Sequence, residues 1–275
     1  MFGGRGRMSE RLRSGGVDAL ADLLDGVRAR SAAFCQVVLD PPWAMRIADG
    51  APLALAIPLR GHAWLVPGDV DPVLIRTGDV AVIKGPRHYV VADDPGTRPT
   101  TVVRPGNRLM TLDGVDITAD QRLSPFTSAL GPQPGDVPDG AAIIASGTYQ
   151  VTGDVSGRLL AALPRVAALP REQARSPITD LLAAEVTRSE PGQQVVLDRL
   201  LDLALIATLR AWFARPEADA PGWYLAHGDP LVGPALRMIH DDPARPWTVA
   251  ALAAAAGASR AALARRFTAL VGSRR

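Results

Sequence analysis

A short segment near the carboxyl end holds the residues whose type and spacing could do the most specific chemistry. Gly257 is followed by Ser259, and three arginines come next, Arg260, Arg265 and Arg266. Glycine favours the left-handed turn that ends one helix, and serine caps the first turn of the next. Arginine binds phosphate oxygens and forms paired hydrogen bonds with guanine. The segment therefore predicts a helix that could contact nucleic acid.

The spacing within this segment separates an inward face from an outward face. At about 100° per residue, Phe267 and Leu270 fall within roughly 40° of Leu263, so the three predict one core-facing stripe. The predicted groove-facing positions lie away from that stripe: Ala261, Arg265 and Thr268 opposite it, and Ala264 to one side. This arrangement predicts a helix with one buried and one exposed face.

The outward positions differ in what they could do at DNA. Only Arg265 can form a bidentate pair with guanine, which contributes about 1–3 kcal/mol of base discrimination. Alanine could at most touch a thymine methyl group. Arg260 and Arg266 lie on the flanks and are better placed for phosphates, which position a helix without reading sequence. The alternative is an ordinary surface helical hairpin with solvated arginines.

A preceding helix must hold this one in place. Thr248 can cap it, and the spacing predicts that it buries Val249, Leu252 and Ala256. Ala253 and Ala254 keep it slim where a second helix would cross it closely. The two elements together predict a helix-turn-helix over Trp247 to Gly272.

Residues able to hold a metal or carry out catalysis are sparse. His62 and His88 are the only histidines in the strand-rich region, and no His-x-His pair occurs there. We therefore predict no metal, no cofactor and no enzymatic activity. Both histidines are expected to be hydrogen-bonded barrel or turn residues, although His88 could also touch a small ligand. Trp43, Trp64 and Tyr89 could line a pocket, with packing in the barrel core as the alternative.

Composition favours a cytoplasmic protein with no membrane-spanning segment. The 275 residues are 47% hydrophobic, with a net charge of +2 and a single cysteine, Cys35. One cysteine excludes an internal disulfide and fits a reducing compartment. The charge is uneven, because seven arginines stand against two aspartates from Leu231 onward. A basic end on a slightly acidic body is the distribution expected of a DNA-contacting segment.

The pattern along the chain predicts a strand-rich part followed by helices. We expect a disordered tail over 1–16, with Met1 or Met8 as the start, and then a helix over Val17–Arg30. Short apolar runs between turn residues predict antiparallel strands from Phe34 to about Val103, rejoined by Ala141–Val151. The intervening Arg104–Gly140 predicts long loops or a flap.

From Gly157 the pattern is helical. The predicted helices are Pro177 to about Arg188, Gln193–Ala214 and Asp229–His240, with a linker over Pro216–Pro221. The apolar stripe on Gln193–Ala214 is wider than one core contact needs. Such a helix often packs on its own domain and on a partner subunit, so we predict a homodimer.

The helix-turn-helix segment resembles the first such motif of the AraC family of transcription regulators. The matching residues are Leu252-Ala253, Ala256-Gly257-Ala258-Ser259-Arg260, Leu263, Arg265 and Phe267. The resemblance implies a sequence-specific regulator that contacts promoter half-sites, with Ala261, Ala264 and Arg265 at the base-reading positions. The predicted DNA-binding set is Ser259, Arg260, Ala261, Ala264, Arg265 and Arg266.

The amino-terminal part is similar to the cupin-type sensor domain of one branch of that family. The supporting residues are Pro42-Trp43, Gly61-His62-Ala63-Trp64-Leu65, Gly78-Asp79-Val80, Gly85 and His88. The resemblance implies an α+β protein with a cupin-like antiparallel β-barrel that binds a small effector. The expected domains are a sensor over 17–165, a helical connector over 166–228 and a partial DNA-binding domain over 229–275. The expected effector contacts are Trp43, Trp64 and His88.

The sequence departs from the family after Phe267. Members normally carry a second helix-turn-helix, and only eight residues follow Phe267 here. We therefore expect a truncated regulator with impaired DNA binding. The alternatives are a cupin-like ligand-binding or dimerising module that no longer binds DNA, or a cupin enzyme. The sequence does not identify the effector, the operator or the direction of regulation.

Overall fold

The computed structural model divides the chain into two compact units, one over residues 26–219 and one that contains residues 220–275. The structure describes residues 35–39, 41–118, 142–149, 160–174, 177–188, 190–218 and 220–272. The predicted tail over 1–16, the predicted helix Val17–Arg30 and residues 119–140 of the predicted flap lie outside the described residues.

The first unit is built on short strands. They are β1 (Cys35–Leu39), β2 (Ala44–Ile47), β3 (Leu53–Arg60), β4 (His62–Val66), β5 (Val73–Arg76), β6 (Val80–Lys84), β7 (Tyr89–Ala92), β8 (Thr101–Arg104), β9 (Arg108–Thr111), β10 (Ala142–Tyr149) and β11 (Val166–Leu169). One sheet has the order β1-β10-β3-β6-β11, and the other has the order β5-β4-β7-β2-β8-β9. Neighbouring strands are antiparallel except β2 and β8, which are parallel, with Met45 opposite Thr101.

Helices follow the strands and also make up the second unit. They are α1 (Arg171–Ala174), α2 (Ile178–Val186), α3 (Gln193–Phe213), α4 (Gly222–Gly228), α5 (Val232–Asp241), α6 (Val249–Ala255) and α7 (Arg260–Leu270). In the first unit, α2 packs on α3, and α3 packs on β6, β10 and β11 of the five-stranded sheet. A barrel of strands followed by helices confirms the predicted α+β class.

The five-stranded sheet is buried on both faces, and β3 shows why. Ala54 and Ala56 belong to the core cluster enclosed by the two sheets. Leu53, Leu55 and Ile57 point to the other face, since side chains alternate along a strand, and all three are fully buried. Helix α2 packs on β3 and covers that face. A strand covered on both sides reads as a continuous apolar run, as LALAI does here.

Two elements differ from the sequence predictions. Val166–Leu169, predicted as helical, is strand β11 and pairs with β6 from Val166↔Ile83 to Leu169↔Val80. The alternating burial of this strand matches a sheet edge, and Pro164 and Pro170 bound it tightly. Arg108–Thr111, inside the predicted loop region, is strand β9. It pairs with β8 across a turn in which Asn107 has φ of 57°.

The compact units also differ from the predicted domain division. Strand β11 completes the five-stranded sheet, and helices α2 and α3 belong to the barrel unit rather than to a separate connector. Helix α4 lies inside the predicted connector over 166–228 but packs with α5 and α7 in the second unit.

Candidate nucleic-acid interface and ligand cavity

The helix-turn-helix forms with the caps that the sequence predicts. The Thr248 hydroxyl accepts a hydrogen bond from the Ala251 N–H at 3.1 Å, and the Ser259 hydroxyl accepts one from the Ala262 N–H at 3.2 Å. Between them, Gly257 has φ of 64°, a left-handed conformation that suits glycine. Local chemistry therefore sets the start of each helix and the turn between them.

Helix α7, which we call the recognition helix, is held by an apolar cluster of the second unit. Leu252, Ala253 and Leu263 are buried in this cluster together with residues of α4 and α5. Phe267 and Leu270 are partly buried against it, as the helical spacing predicts. The prediction that Val249 is buried was wrong, because its side chain is 47% exposed. Ala253 takes the inward position where the two helices approach.

The face opposite Leu263 is open to solvent. All six residues of the predicted DNA-binding set are exposed: Ser259, Arg260, Ala261, Ala264, Arg265 and Arg266. Two alanines beside Arg265 leave its guanidinium without a bulky neighbour on its own helix face. A slim helix face with one long donor fits the width of a DNA major groove, which admits an α-helix.

Arg266 has a structural partner, Asp229, that is not evident from the sequence. Its Nε donates to Asp229 Oδ2 at 2.7 Å, and the Asp229 side chain is only 5% exposed. Asp229 Oδ1 accepts the backbone N–H groups of Leu231 and Val232, each at 2.9 Å, at the start of α5. One carboxylate thus holds both the first turn of α5 and the recognition helix. An aspartate followed by proline at the start of the predicted helix Asp229–His240 was the available sequence signal.

These contacts predict a pH-dependent contribution of Asp229 to stability. The hydrogen bond from the Val232 N–H holds the pKa of Asp229 below its ordinary value, helped by Arg266 and the Leu231 N–H. The stabilisation is therefore present above the unfolded-state pKa of about 3.9 and is lost as the pH falls through the lower folded-state value. We expect Asp229→Asn to lower the free energy of unfolding at pH 7 by about 1–2 kcal/mol. Urea unfolding of the full chain measures this.

The same variant should narrow the stability difference between pH 7 and pH 3. Asp241→Asn, at an exposed position on α5, is the matched control and should change neither quantity. An Asp229→Asn protein with the parent's stability at both pH values would contradict the assigned role.

Ahead of α6, the exposed Arg245 stacks on the half-buried Trp247. The Arg245 guanidinium stacks over the Trp247 ring at 4.2 Å from the ring centroid. The indole Nε1 donates to the Asp242 carbonyl at 2.9 Å, which fixes the ring. Stacking orders the guanidinium while leaving it charged and exposed, so this pair adds a positioned cation to the second unit.

The first unit contains a cavity of ≈ 60 Å³ inside the barrel. Its apolar wall comes from strands of both sheets and consists of Met45, Ile47, Ala54, Ala56, Val91, Val103 and Ile144. Its polar groups are Asp49, Tyr89, Asn107, Ser146 and Thr148. An apolar chamber with a few convergent polar groups is the usual form of a small-molecule site.

The electrostatic setting of this cavity is negative. Burial raises the pKa of Tyr89, the Asp49 carboxylate raises it further, and Arg165 opposes both. The Arg165 guanidinium binds other groups of the protein. Its Nε lies 3.4 Å from Asp69 Oδ1, and its Nη2 donates to the carbonyls of Arg87 and His88. Asp49 is therefore the charged group that the cavity presents to a ligand.

The three residues predicted to contact an effector do not meet at this cavity. Trp43 is buried in the barrel core at 6% exposure. Trp64 lines a shallow outer groove with His62 and Arg76. His88 is exposed, and its backbone carbonyl accepts from Arg165. The structure brings none of them together, so ligand contact by this trio stays a prediction.

No group of three or more metal-ligating side chains occurs within the described ranges of the chain. His62 lies at the surface, where its Nε2 is 3.1 Å from the Asp93 carbonyl. Among the helices that the structure describes, none is long and apolar enough to cross a membrane.

Comparison with known proteins connects both units to one family. The family model described as "Cupin" matches residues 18–214. The chain is 30% identical to an AraC-like transcription regulator of Streptomyces antibioticus, over 93% of this chain and 80% of that protein. The chain belongs to the AraC-like transcription regulators. A second AraC-like relative, from Streptomyces lividans, is 28% identical over 93% of this chain and 79% of its own length.

The cupin match ends close to the boundary between the two compact units of this AraC-like regulator. The cupin match covers the barrel and α1 to α3, so the first unit contains a cupin domain. The part of the chain outside the match to the relatives is shorter than the second unit, residues 220–275. The match must therefore include much of the helix-turn-helix unit. In structure, the regulator is similar to ToxT from Vibrio cholerae at TM-score 0.35 and 9% identity, over 87% of this chain and 76% of that chain. A TM-score this low gives no support to any statement about function.

Proposed function

We propose that this AraC-like regulator binds specific DNA sequences through the exposed face of the recognition helix. The observation that carries the proposal is the arrangement of α7, which buries Leu263 and exposes Arg265 between Ala261 and Ala264. Arg265 reads guanine, and Arg260 contacts a phosphate at the amino-terminal end of the helix. Arg266 contributes less to DNA, since Asp229 already holds its Nε.

The proposal also assigns a sensor and an assembly. A small effector occupies the barrel cavity of the cupin domain, and two chains associate through α2 and α3. Exposed apolar side chains on these helices support the assembly: Leu181 is 53% exposed, Val195 61%, Val196 44% and Leu203 48%. Val196 and Leu203 lie seven residues apart and so on one side of α3. A dimer places two recognition helices on two half-sites.

Fluorescence anisotropy with labelled duplex DNA tests the DNA-binding proposal. The duplexes are the region upstream of the protein's own gene and sequences recovered by in vitro selection with the full chain. We expect Arg265→Ala to weaken binding to a preferred duplex by about 1–3 kcal/mol, which is about 5- to 160-fold. Discrimination at one guanine should fall in parallel, while binding to random duplex should change little.

Arg104→Ala is the matched control, because Arg104 is an exposed arginine on β8 of the cupin domain. It should bind as the parent does. Parent-like binding by Arg265→Ala would overturn the role of the recognition helix. Absence of specific binding by the parent itself would favour the alternative of a ligand-binding or dimerising module that does not bind DNA.

A further inference from the structure

The polar groups of the barrel cavity restrict the charge of the ligand that it can take. Among the lining residues within the described part of the chain, Asp49 has a carboxylate and no lysine, arginine or histidine is present. A ligand carboxylate would therefore enter beside a like charge without a partner. A ligand cation would meet an opposite charge in a low-dielectric wall, where such a pair is strengthened.

Asp49 is also oriented for this task. Its Oδ1 accepts the backbone N–H of Ala51 at 3.0 Å, which fixes the carboxylate relative to the start of β3. An ionised carboxylate has about four acceptor positions, so capacity remains after this bond. Tyr89 lines the same cavity, and Asp49 is close enough to shift the pKa of its phenol. The ring and hydroxyl of Tyr89 offer a second favourable neighbour for an ammonium group.

The apolar side chains of the cavity wall determine the size and polarity of the rest of the ligand. Met45, Val91 and Ile144 supply an apolar surface from both sheets. The cavity of ≈ 60 Å³ is small, so an extended chain could not enter without movement of the strands. The hydroxyls of Ser146 and Thr148 are on β10, a different strand from those that carry the apolar contacts of β2 and β7. The lining thus has one carboxylate, at Asp49, while its other polar side chains are neutral and the remainder are apolar.

We propose that the effector of this regulator is a small amine, whose ammonium group pairs with Asp49 and whose short apolar body packs against Met45, Val91 and Ile144. This inference rests on the proposed effector-sensing function and specifies the ligand class for it. An amine with a pKa near that of a lysine side chain is protonated at pH 7, which supplies the required charge.

Three probes with the same four-carbon body test the charge preference: butylammonium, 1-butanol and butyrate. Binding to the full chain is followed by isothermal titration calorimetry and by the shift in Tm. We expect butylammonium to bind at least about tenfold more tightly than butyrate, with 1-butanol between them, because hydrogen bonds to charged groups exceed neutral ones. The same series at 0.5 M NaCl separates cavity binding from weak surface association, which salt screens.

Asp49→Asn is the diagnostic variant, since the amide oxygen can still accept the Ala51 N–H. It should remove the preference for butylammonium over 1-butanol while leaving 1-butanol binding unchanged. Butyrate binding as tightly as butylammonium, an unaltered preference in Asp49→Asn, or no binding by any probe would each overturn the inference. The parent protein's own probe series decides the matter even if the variant does not fold.

The DNA anisotropy measured without probes keeps this test apart from the proposed function. Specific DNA binding together with no amine preference contradicts the ligand class alone. Amine binding without specific DNA binding contradicts the DNA-binding proposal and leaves the ligand class standing.

Discussion

Gly222→Ala is expected to displace the recognition helix and to destabilise the second unit. A Cβ at Gly222, the first residue of α4, would lie 2.5 Å from the backbone carbonyl oxygen of Leu270, the last residue of α7. Real Cβ atoms do not approach an oxygen so closely, and a backbone atom cannot rotate away as a side chain can. Because the two helices must separate, we expect a cost at the upper end of about 1–3 kcal/mol.

Hydrogen exchange of peptides covering Arg260–Leu270 measures this effect locally in the full chain, and urea unfolding measures its free energy. Specific DNA binding should weaken too, since the helix that carries Arg265 is anchored at Leu270. Gly228→Ala is a matched control on the same helix, because a Cβ there meets nothing within 4 Å. A Gly222→Ala protein with parent-like exchange in α7 would show that the helices do not approach each other this closely.

Leu203→Glu is expected to abolish the proposed homodimer. Leu203 is 48% exposed on α3, so the barrel unit loses little by the change. In a dimer that buries this face, the new carboxylate of each chain would be removed from water and would have no partner. This costs several kcal/mol. The association constant should fall by at least about a hundredfold, and sedimentation velocity at micromolar concentration should show monomers.

Leu112→Glu is the control for a general effect of added charge. Leu112 is 59% exposed and follows β9, outside helices α2 and α3. It should leave the parent's sedimentation unchanged. A dimeric Leu203→Glu protein, or a monomeric parent, would contradict assembly through α3.

The parts of the structure that the sequence predicted well depend on contacts between near neighbours. Thr248 and Ser259 each cap a helix through an N–H only three residues away. Gly257 takes the left-handed turn that only a residue without a Cβ adopts freely. Helix periodicity likewise identified Leu263 as buried and Arg265 as exposed. Such features are determined by a few consecutive residues, so the chain order contains the necessary information.

The features that the sequence did not predict depend on residues far apart along the chain. Arg266 and Asp229 are 37 positions apart, and either could have faced solvent. The cavity unites Met45, Val91 and Ile144 only because β2, β7 and β10 adopt a particular register. Strand β11 was predicted as helical because its four residues, VAAL, are compatible with either conformation until β6 provides hydrogen-bonding partners.

The shared carboxylate of Asp229 couples the opening of the first turn of α5 to the release of the recognition helix. Its Oδ1 serves the first turn of α5, and its Oδ2 serves Arg266 of the recognition helix. When the first turn of α5 frays, the Asp229 carboxylate can rotate, and its ion pair with Arg266 weakens. When Arg266 is released, the carboxylate loses the positive charge that orients it toward the first turn of α5. The free energies of the two openings are therefore linked, and each raises the population of the other. The angle of the recognition helix is thus set in part by residues more than thirty positions before it.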